Sequence, residues 1–295
     1  MPDPLPVIVN RSGGTAATLG DTLEATLRKA FAGHAIELRL VEGADLAATV
    51  AGYAGRPLVA IGGGDGTQGA AAAALAGSGS AQLILPLGTR NHLARQLGLP
   101  LKLADAAKLA DDGRRQAIDL ARAGDRIFVN NASIGVYTRL VRERDKRWGP
   151  KWLGTIPAAW VVLRTIRAKP LQLAIDGKPS PVVTPLLFIG NNRYSLEAGK
   201  LGERESLSDG VLSVLAVARH GPLALLGFAL RALVGRADPQ RDFCELADAR
   251  EARLAGEGTI EVAFDGEVER MALPLTFSIM PGALEVLVPA TPADA

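Results

Sequence analysis

The sequence Leu58-Val59-Ala60-Ile61-Gly62-Gly63-Gly64-Asp65-Gly66-Thr67 decides the fold of the first half of this 295-residue chain. A short apolar run leads directly into four glycines around one carboxylate, and an Ala-rich helix is predicted from about Gln68. Glycines at a strand-to-helix turn let the backbone approach a ligand, and the helix dipole favours phosphate there. The carboxylate of Asp65 suits a cation beside the phosphates, or proton handling during transfer.

Other interpretations of the glycine turn fit less well. The spacing Gly64-x-Gly66-x-x-Gly69 formally matches the dinucleotide fingerprint, but two strand–helix units precede it and the next strand ends without the required acid. The sequence has no GxxxxGK[ST] motif, so the turn is not a P-loop. A purely structural turn remains an alternative, although four glycines weaken strand and helix unless something approaches closely.

Strand and helix signals alternate through the first part of the chain. Strands are predicted at residues 6–10, 36–41, 58–61 and 82–87, and helices at 15–32, 44–53, 91–97 and 103–111. This alternation predicts a parallel sheet covered by helices. In such sheets ligands bind beyond the carboxyl ends of the strands.

Three polar loops follow predicted strands of this sheet. They are Asn10, Arg11, Ser12, Gly13 and Gly14; then Gly63, Gly64, Asp65, Gly66 and Thr67; then Gly88, Thr89, Arg90 and Asn91. Their hydroxyl, amide and backbone N–H groups could bind phosphate oxygens, although Thr89 could equally cap the next helix. Three such loops at one sheet edge favour phosphate binding more strongly than any one of them alone.

After Asp119 the pattern changes to short strands separated by turn signals. Strands are predicted at residues 126–132, 171–175, 182–189, 211–217, 260–264, 275–279 and 283–288, with helical insertions near 152–167 and 222–234. This pattern predicts an antiparallel, sandwich-like second domain. The expected division is therefore 1–121 for the α/β domain, 122–290 for the sandwich and 291–295 for a disordered tail.

Two turns in the second half carry acidic residues. One places Asp209 between Ser206 and Val211, and the other is Asp265-Gly266-Glu267. Asp-Gly is a common hairpin signal, so each motif alone is more often only a turn. A Mg²⁺ site needs carboxylates, carbonyls and waters, and deprotonating a hydroxyl needs a carboxylate within reach. The three histidines are scattered without metal-ligand spacing, so these acids are the better candidates.

Composition argues against several classes of protein. A net charge of +2 and an aromatic content of 4% argue against nucleic-acid binding. The single cysteine, Cys244, excludes an intramolecular disulfide and fits a reducing compartment. Neither a signal peptide nor a run of about 18 apolar residues is recognisable, so a cytoplasmic location is expected, with peripheral contact at the inner face of the membrane.

Two segments are candidates for membrane contact. Residues 139–151 are basic and are followed by tryptophans, a combination that suits an anionic membrane surface or, about equally, the charged face of a packed helix. Residues 221–235 are strongly apolar, with one arginine; packing inside the protein is the favoured interpretation and acyl-chain contact the alternative.

Taken together, the motifs resemble those of the bacterial diacylglycerol kinase family, soluble lipid kinases that also include sphingosine and ceramide kinases. The matching segments are Gly63-Gly64-Asp65-Gly66-Thr67, Leu85-Pro86-Leu87-Gly88-Thr89-Arg90-Asn91-His92-Leu93-Ala94, Phe128-Val129-Asn130-Asn131-Ala132-Ser133-Ile134-Gly135, Leu207-Ser208-Asp209-Gly210-Val211-Leu212 and Asp265-Gly266-Glu267. Their order and spacing match over nearly the whole chain. GGDGT alone is shared with NAD kinases and, more remotely, phosphofructokinases, whereas the later motifs make the resemblance specific.

The resemblance implies an α/β nucleotide-binding domain with an NAD kinase- or phosphofructokinase-like parallel sheet, plus a mainly antiparallel β-sandwich domain. It implies ATP and Mg²⁺ as cofactors. The first loop, the glycine turn with Asp65, and the third loop with Thr89 would hold the nucleotide. The Asp209 carboxylate and the carbonyls of Ser206 and Val211 would hold Mg²⁺. Either Glu267 or Asp265 would accept the proton of the lipid hydroxyl, and Glu267 is preferred.

The implied reaction is transfer of the ATP γ-phosphate to the hydroxyl of a membrane lipid, with diacylglycerol as the first expectation. The alternatives are a ceramide or long-chain-base kinase, an NAD kinase, and a catalytically silent nucleotide- or lipid-binding regulator. The last is suggested by departures from the family pattern at Gln68-Gly69-Ala70 and at His92. The sequence does not decide the oligomeric state, for which a homodimer is one expectation.

Overall fold

The computed structural model describes residues 3–135, 169–195, 204, 206–217 and 243–290. Contacts within the chain divide it into two units, Met1–Ile118 with Gly282–Ala295, and Asp119–Pro281. Several expectations lie outside the described residues, namely the helical insertions, the basic tryptophan-containing segment, the apolar segment 221–235 and the tail. Within the described part of the chain, no helix combines the length and apolar character needed to cross a bilayer.

The first unit is an α/β layer structure around a parallel sheet. Its strands are β1 (Leu5–Asn10), β2 (Ile36–Val41), β3 (Leu58–Gly63) and β4 (Ala81–Pro86), in the order β4-β3-β1-β2, with every adjacent pair parallel. Strands β1, β3 and β4 are almost wholly buried, as expected for parallel strands covered on both faces. The predicted parallel sheet is therefore confirmed.

Six helices flank this sheet among the described residues of the first unit. They are α1 (Gly14–Leu19), α2 (Leu23–Ala30), α3 (Gly43–Ala51), α4 (Asp65–Leu75), α5 (His92–Gln96) and α6 (Leu103–Asp112). Helix α3 packs on α4, and α2 packs on α6. A 3₁₀ turn separates α1 from α2 where a single helix was predicted.

Helix α4 begins at Asp65, three residues before the predicted start. Gly64 is in an extended conformation, and its carbonyl accepts the Gln68 N–H at 2.9 Å. Gly66 and Thr67 are poor helix formers, so propensity alone delays the expected start. The glycine motif is consequently the first turn of the helix itself rather than a loop in front of it.

The second unit is a β-sandwich. The strands that follow α6 are β5 (Arg114–Ala123), β6 (Arg126–Phe128), β7 (Asn131–Gly135), β8 (Lys169–Ile175), β9 (Lys178–Pro179), β10 (Val182–Thr184), β11 (Leu186–Asn191), β12 (Leu212–Val217), β13 (Phe243–Ala249), β14 (Glu251–Ala255), β15 (Thr259–Phe264), β16 (Glu267–Ala272) and β17 (Leu275–Val288). One antiparallel sheet has the order β13-β12-β11-β7-β15-β16. In the other, β10, β8, β14 and the first part of β17 are neighbours, and β5 pairs with β17.

Apolar side chains of the two sheets form the core of the sandwich. Phe128 on β6 packs on Phe264 of β15 with ring centroids 5.6 Å apart, and Phe277 on β17 is fully buried in the same cluster. The predicted sandwich is confirmed by this packing. The last residues of β17 belong to the first unit, where Glu285 pairs in parallel with Ala81 of β4.

Three predicted strand boundaries in the sandwich are wrong. Residues 275–288 form the single strand β17 rather than two strands. The predicted strand 182–189 is broken at Pro185, which has no N–H to donate to a ladder. The predicted strand 126–132 is interrupted between Phe128 and Asn131, where backbone N–H groups donate to the side chain of Asp265.

Candidate functional site

The three polar loops of the first unit meet at one edge of the sheet. They follow β1, β3 and β4, which are adjacent and parallel, so their carboxyl ends lie side by side. Asn10 Nδ2 donates to Thr67 Oγ1 at 3.1 Å, which joins the first loop to the glycine turn. The Thr15 N–H donates to the Leu87 carbonyl at 2.8 Å, which joins the first loop to the third. The structure thus brings the three predicted loops together at one edge of the sheet.

Glycine is required where these loops touch. A Cβ on Gly88 would lie 2.3 Å from Gly64 Cα and 2.7 Å from Asn91 Oδ1. A Cβ on Gly14, which has a φ of +55°, would lie 2.5 Å from the Leu87 carbonyl oxygen. At these points backbone packs directly against backbone, which brings the three loops close together.

The first turn of α4 presents backbone amides at this edge that have no acceptor among the described residues. The N–H groups of Asp65, Gly66 and Thr67 begin the helix and have no intrahelical acceptor. Gly64 at the N-cap has no side chain to accept from them. Free N–H groups at the positive end of an eleven-residue helix favour an anion such as phosphate.

The side chains of two asparagines stabilise the loops through hydrogen bonds to other loop residues. Asn10 Oδ1 accepts both the N–H of Ser12 at 3.1 Å and its hydroxyl at 2.7 Å. Asn91, with a φ of 51°, accepts the Gly88 N–H at 2.9 Å and donates to the Gly88 carbonyl at 2.9 Å. Thr89 is exposed, and its hydroxyl makes no hydrogen bond with the described residues.

Asp65 connects the glycine turn to α5. Its Oδ1 accepts the N–H of Leu93 at 3.2 Å, in the first turn of that short helix. Its Oδ2 accepts no hydrogen bond from the part of the chain that the structure describes. Asp65 therefore has a structural role through one oxygen and leaves the other half of its carboxylate available.

A cavity of about 460 Å³ opens beside the first loop, a size typical of small-molecule sites. Arg11 and Ser12 belong to both the loop and the cavity, and the acids Asp21, Glu24 and Glu42 also line it. Arg11 Nε donates to Glu42 Oε1 at 2.6 Å, and this bond, followed by one from Ser12, lowers the pKa of Glu42. Three carboxylates make the cavity itself unsuitable for phosphate, so it suits a neutral portion of a ligand.

In the second unit, Asp265 is fully engaged with backbone. It lies in the turn between β15 and β16 with a φ of 49°. Its Oδ2 accepts the Val129 N–H at 2.9 Å, and its Oδ1 accepts the N–H groups of Asn130 and Asn131 at 2.8 and 3.0 Å. This carboxylate is what interrupts the predicted strand between β6 and β7.

We expect Asp265→Ala to lower the free energy of unfolding by about 2–4 kcal/mol, because three backbone N–H groups lose their acceptor. Urea unfolding measures this change. Asp125→Ala is the matched control, since Asp125 is exposed in the turn between β5 and β6 and accepts no hydrogen bond from the described residues. An Asp265→Ala variant as stable as that control would contradict the assignment.

Glu267 stands on the same hairpin with a much freer carboxylate. It is the first residue of β16, and 71% of its side chain is exposed. Its one described polar contact is to Arg126 Nη2 at 3.4 Å, while Arg126 Nε lies 2.9 Å from Glu269 Oε1. Of the two acids in this motif, Glu267 is the one whose oxygens are accessible to a substrate hydroxyl.

The turn that contains Ser206, Asp209 and Val211 carries carboxylate, carbonyl and hydroxyl oxygens that could serve as ligands of a metal ion. Asp209 Oδ2 accepts the Arg193 N–H at 3.2 Å, and its Oδ1 accepts none from the described residues. The Val211 carbonyl accepts the Asn192 N–H at 2.9 Å, and Ser206 Oγ accepts the Ser208 N–H at 3.0 Å. A carboxylate with one free oxygen among carbonyls and hydroxyls is a donor set that fits Mg²⁺ or Ca²⁺.

Buried polar residues that were not anticipated from the sequence connect these two turns. Asn191 donates through Nδ2 to the carbonyls of Asp119 and Val129, both at 2.8 Å, and Asp119 Oδ2 accepts the Gly210 N–H at 2.7 Å. Arg204 Nη1 also donates to the Val129 carbonyl at 2.8 Å. The acidic turns at 209 and 265 thus share one hydrogen-bond network. Spacing in the sequence gives no signal for it, because its members come from distant segments.

Comparison with known proteins matches both halves of the chain. Residues 4–123 match the family model "Diacylglycerol kinase catalytic domain". Residues 132–288 match "YegS C-terminal NAD kinase beta sandwich-like domain". Two crystal structures from Bacillus anthracis strain Sterne resemble the chain, one described as a diacylglycerol kinase with a TM-score of 0.66, 21% identity and 98% of both chains covered. The other has a TM-score of 0.72 and 23% identity, covering 98% of this chain and 96% of that one.

Curated relatives carry the name "Probable lipid kinase YegS-like". The Pseudomonas aeruginosa PAO1 protein is 34% identical over 250 residues, which is 82% of this chain and 79% of that protein. The Pseudomonas savastanoi pv. phaseolicola protein is 29% identical over 94% of this chain and 92% of its own length. The match to the Klebsiella pneumoniae protein, 36% identical, spans about half of each chain, 52% and 54%.

Proposed function

Because this chain belongs to the YegS-like lipid kinase family, we propose that it transfers the γ-phosphate of ATP to the hydroxyl of a membrane lipid, with diacylglycerol as the acceptor. The hydroxyl oxygen attacks the γ-phosphorus, the bond to the β-phosphate oxygen breaks, and ADP leaves. The observation that carries the proposal is the meeting of the three polar loops around the first-turn amides of α4.

The phosphates are assigned to the first unit. The amides of Asp65, Gly66 and Thr67, the first loop and Thr89 bind phosphate oxygens, and the cavity beside Arg11 takes the nucleoside. Asn10 and Asn91 keep these loops in place through the hydrogen bonds described above. Catalysis by such a site is positioning and electrostatic stabilisation of charge on the transferred group.

Glu267 is assigned as the general base. Its exposed carboxylate accepts the proton that the lipid hydroxyl loses as the new P–O bond forms. Asp265 shapes the hairpin that presents Glu267, since both of its oxygens are already used by backbone N–H groups. Among the two acids left open by the sequence, the hydrogen bonds therefore favour Glu267.

Mg²⁺ is assigned to the turn at Asp209, with the carbonyls of Ser206 and Val211 as further ligands. Bound there, the ion would supply a fixed positive charge beside the Asp209 carboxylate. Asn192 Oδ1 accepts the Asp209 N–H at 2.9 Å, and the Arg193 N–H bonds its carboxylate, so the end of β11 holds Asp209 in place.

We expect Asp209→Asn to raise the Mg²⁺ concentration that gives half-maximal activity by about tenfold, because a neutral amide is a weaker ligand than a carboxylate. Activity is titrated with MgCl₂ at saturating nucleotide. Asp248→Asn is the control, since that acid pairs with Arg193 in the same neighbourhood. Identical Mg²⁺ titrations of Asp209→Asn and the wild type would remove Asp209 from the metal site.

Radiolabelled transfer tests the function itself. The protein is incubated with [γ-³²P]ATP and mixed micelles that contain diacylglycerol, ceramide or a long-chain base, with NAD in a separate reaction. Label in phosphatidic acid is the expected result. Label in another lipid, or in NADP, would show that the acceptor is not diacylglycerol. Nucleotide binding without transfer to any acceptor would support a catalytically silent regulator. A lipid acceptor also requires peripheral contact with a membrane, and vesicle co-sedimentation measures it.

A further inference from the structure

Two glutamine side chains are buried in the first unit beside the glycine turn. Gln68, on α4, is 3% exposed, and Gln82, on β4, is 0% exposed. Apart from Gln82, every side chain of strand β4 is apolar, and every residue of the strand is buried. A buried amide is costly unless it is hydrogen-bonded. Two of them at one strand–helix interface therefore need a reason beyond packing.

The two amides form a relay from β4 through α4 to β3. Gln82 Nε2 donates to Gln68 Oε1 at 2.7 Å, and Gln68 Nε2 donates to the Ile61 carbonyl at 3.0 Å. Ile61 directly precedes the glycine run, and the Gln68 N–H closes the first helical turn on the Gly64 carbonyl. The relay therefore holds the glycine turn from both of its ends.

This pair is not the arrangement that stability alone would favour. Gln82 Oε1 is buried and has no hydrogen-bond partner among the described residues. Replacing both partners of a buried hydrogen bond by apolar groups of similar shape is often neutral or stabilising. What the amides add over an apolar pair is direction, because hydrogen bonds fix the rotation and separation of α4 relative to β3 and β4.

We propose that Gln68 and Gln82 are positioning residues for the nucleotide phosphates and act through the glycine turn without touching the ligand. Their role rests on the proposed function, since the amides of Asp65, Gly66 and Thr67 lie in the turn that the relay holds. The position of the glycine turn relative to the third loop is tightly constrained, because the backbones of Gly64 and Gly88 are already in contact. A small rotation of α4 moves the phosphate-binding amides relative to the third loop.

The double variant Gln68→Leu/Gln82→Leu separates positioning from packing. Thermal unfolding gives its stability, and isothermal titration gives the Kd for MgATP. We expect an unchanged or higher Tm with a Kd raised at least about tenfold, because a rotated α4 no longer aligns its first-turn amides with the phosphate oxygens. In turnover, the KM for ATP rises by the same factor while the KM for the lipid stays constant. Gln116→Leu, a half-buried glutamine of β5, is the control and keeps the wild-type Kd.

A double variant that folds and binds MgATP within twofold of the wild type would overturn the role and leave the pair as packing only. If the double variant does not fold, Gln68→Met is measured in the same way, because it removes both side-chain hydrogen bonds of the relay and keeps the length of the side chain. A tenfold weaker Kd in that variant supports the role, and an unchanged Kd overturns it. A wild-type protein that binds no nucleotide would overturn the proposed function together with this role.

Discussion

Replacing Glu267 by glutamine is expected to lower kcat about 10²- to 10⁴-fold, the usual cost of losing a general base. Glutamine keeps the size of the side chain but cannot accept the proton from the lipid hydroxyl. Because the side chain is 71% exposed, with a single described contact to Arg126 at 3.4 Å, the fold loses little. Steady-state transfer from [γ-³²P]ATP measures kcat, and circular dichroism confirms an unchanged Tm.

Glu269→Gln is the matched control for this variant. Glu269 lies two residues further along β16 and contacts the same arginine at 2.9 Å, so the change in charge and surroundings is nearly the same. We expect its kcat to stay within about threefold of the wild type, as for most surface changes away from the reacting groups. Equal losses in the two variants would assign the effect to Arg126 and remove Glu267 as the base.

Gly88→Ala is expected to weaken MgATP binding by about a hundredfold or more. The new Cβ would lie 2.3 Å from Gly64 Cα and 2.7 Å from Asn91 Oδ1, so the third loop must move away from the glycine turn. Loss of two hydrogen bonds to the charged phosphates, each contributing about 1.5–3 kcal/mol, is enough for a loss of this size. Isothermal titration with MgATP measures it, and urea unfolding shows how much stability the movement costs.

Gly52→Ala is the control for the glycine variant. Gly52 follows α3 with a φ of −65°, and a Cβ there would meet only the Thr49 carbonyl oxygen, at 3.3 Å. We expect this variant to bind MgATP as the wild type does. Wild-type binding by Gly88→Ala would show that the contact between the second and third loops is not part of the nucleotide site.

The parallel sheet and its three loops could be predicted because their signals are local. Buried strands read as short apolar runs, and each is followed by glycines and small polar residues. The start of α4 predicted from the sequence is too late, since the local signal is misleading there: Gly66 and Thr67 have poor helix propensity. Their backbone is nevertheless helical because the turn packs against Gly88 and Asn10 in the tertiary structure.

Strands β14 and β5 are among those that the sequence patterns missed. Strand β14 alternates buried and exposed residues, but Glu251, Ala252 and Arg253 are better helix formers than strand formers. Strand β5 begins with three charged or polar residues and becomes buried only from Ile118. In both strands, pairing with β17 decides the structure, and local sequence carries no signal of a partner so distant in the chain.

The roles of individual acids were likewise beyond the sequence. In the sequence, Asp265 and Glu267 are two acids on either side of a turn glycine, and nothing distinguishes their roles. In the structure, Asp265 accepts three backbone N–H groups from residues 129–131, whereas Glu267 is exposed. The difference arises because Asn131, more than 130 residues earlier, pairs its carbonyl with the Asp265 N–H at 3.0 Å. Only the folded sandwich distinguishes the structural acid from the accessible one.

Hydrogen–deuterium exchange with and without MgATP tests most directly whether the three loops of the first unit bind nucleotide phosphates. Saturating MgATP is expected to slow amide exchange in peptides covering residues 10–14, 62–67 and 88–91, because the N–H groups there gain phosphate acceptors. Gly88→Ala is expected to abolish that protection at the same nucleotide concentration. Saturation of the wild-type protein with MgATP without slower exchange in these three segments would contradict the account.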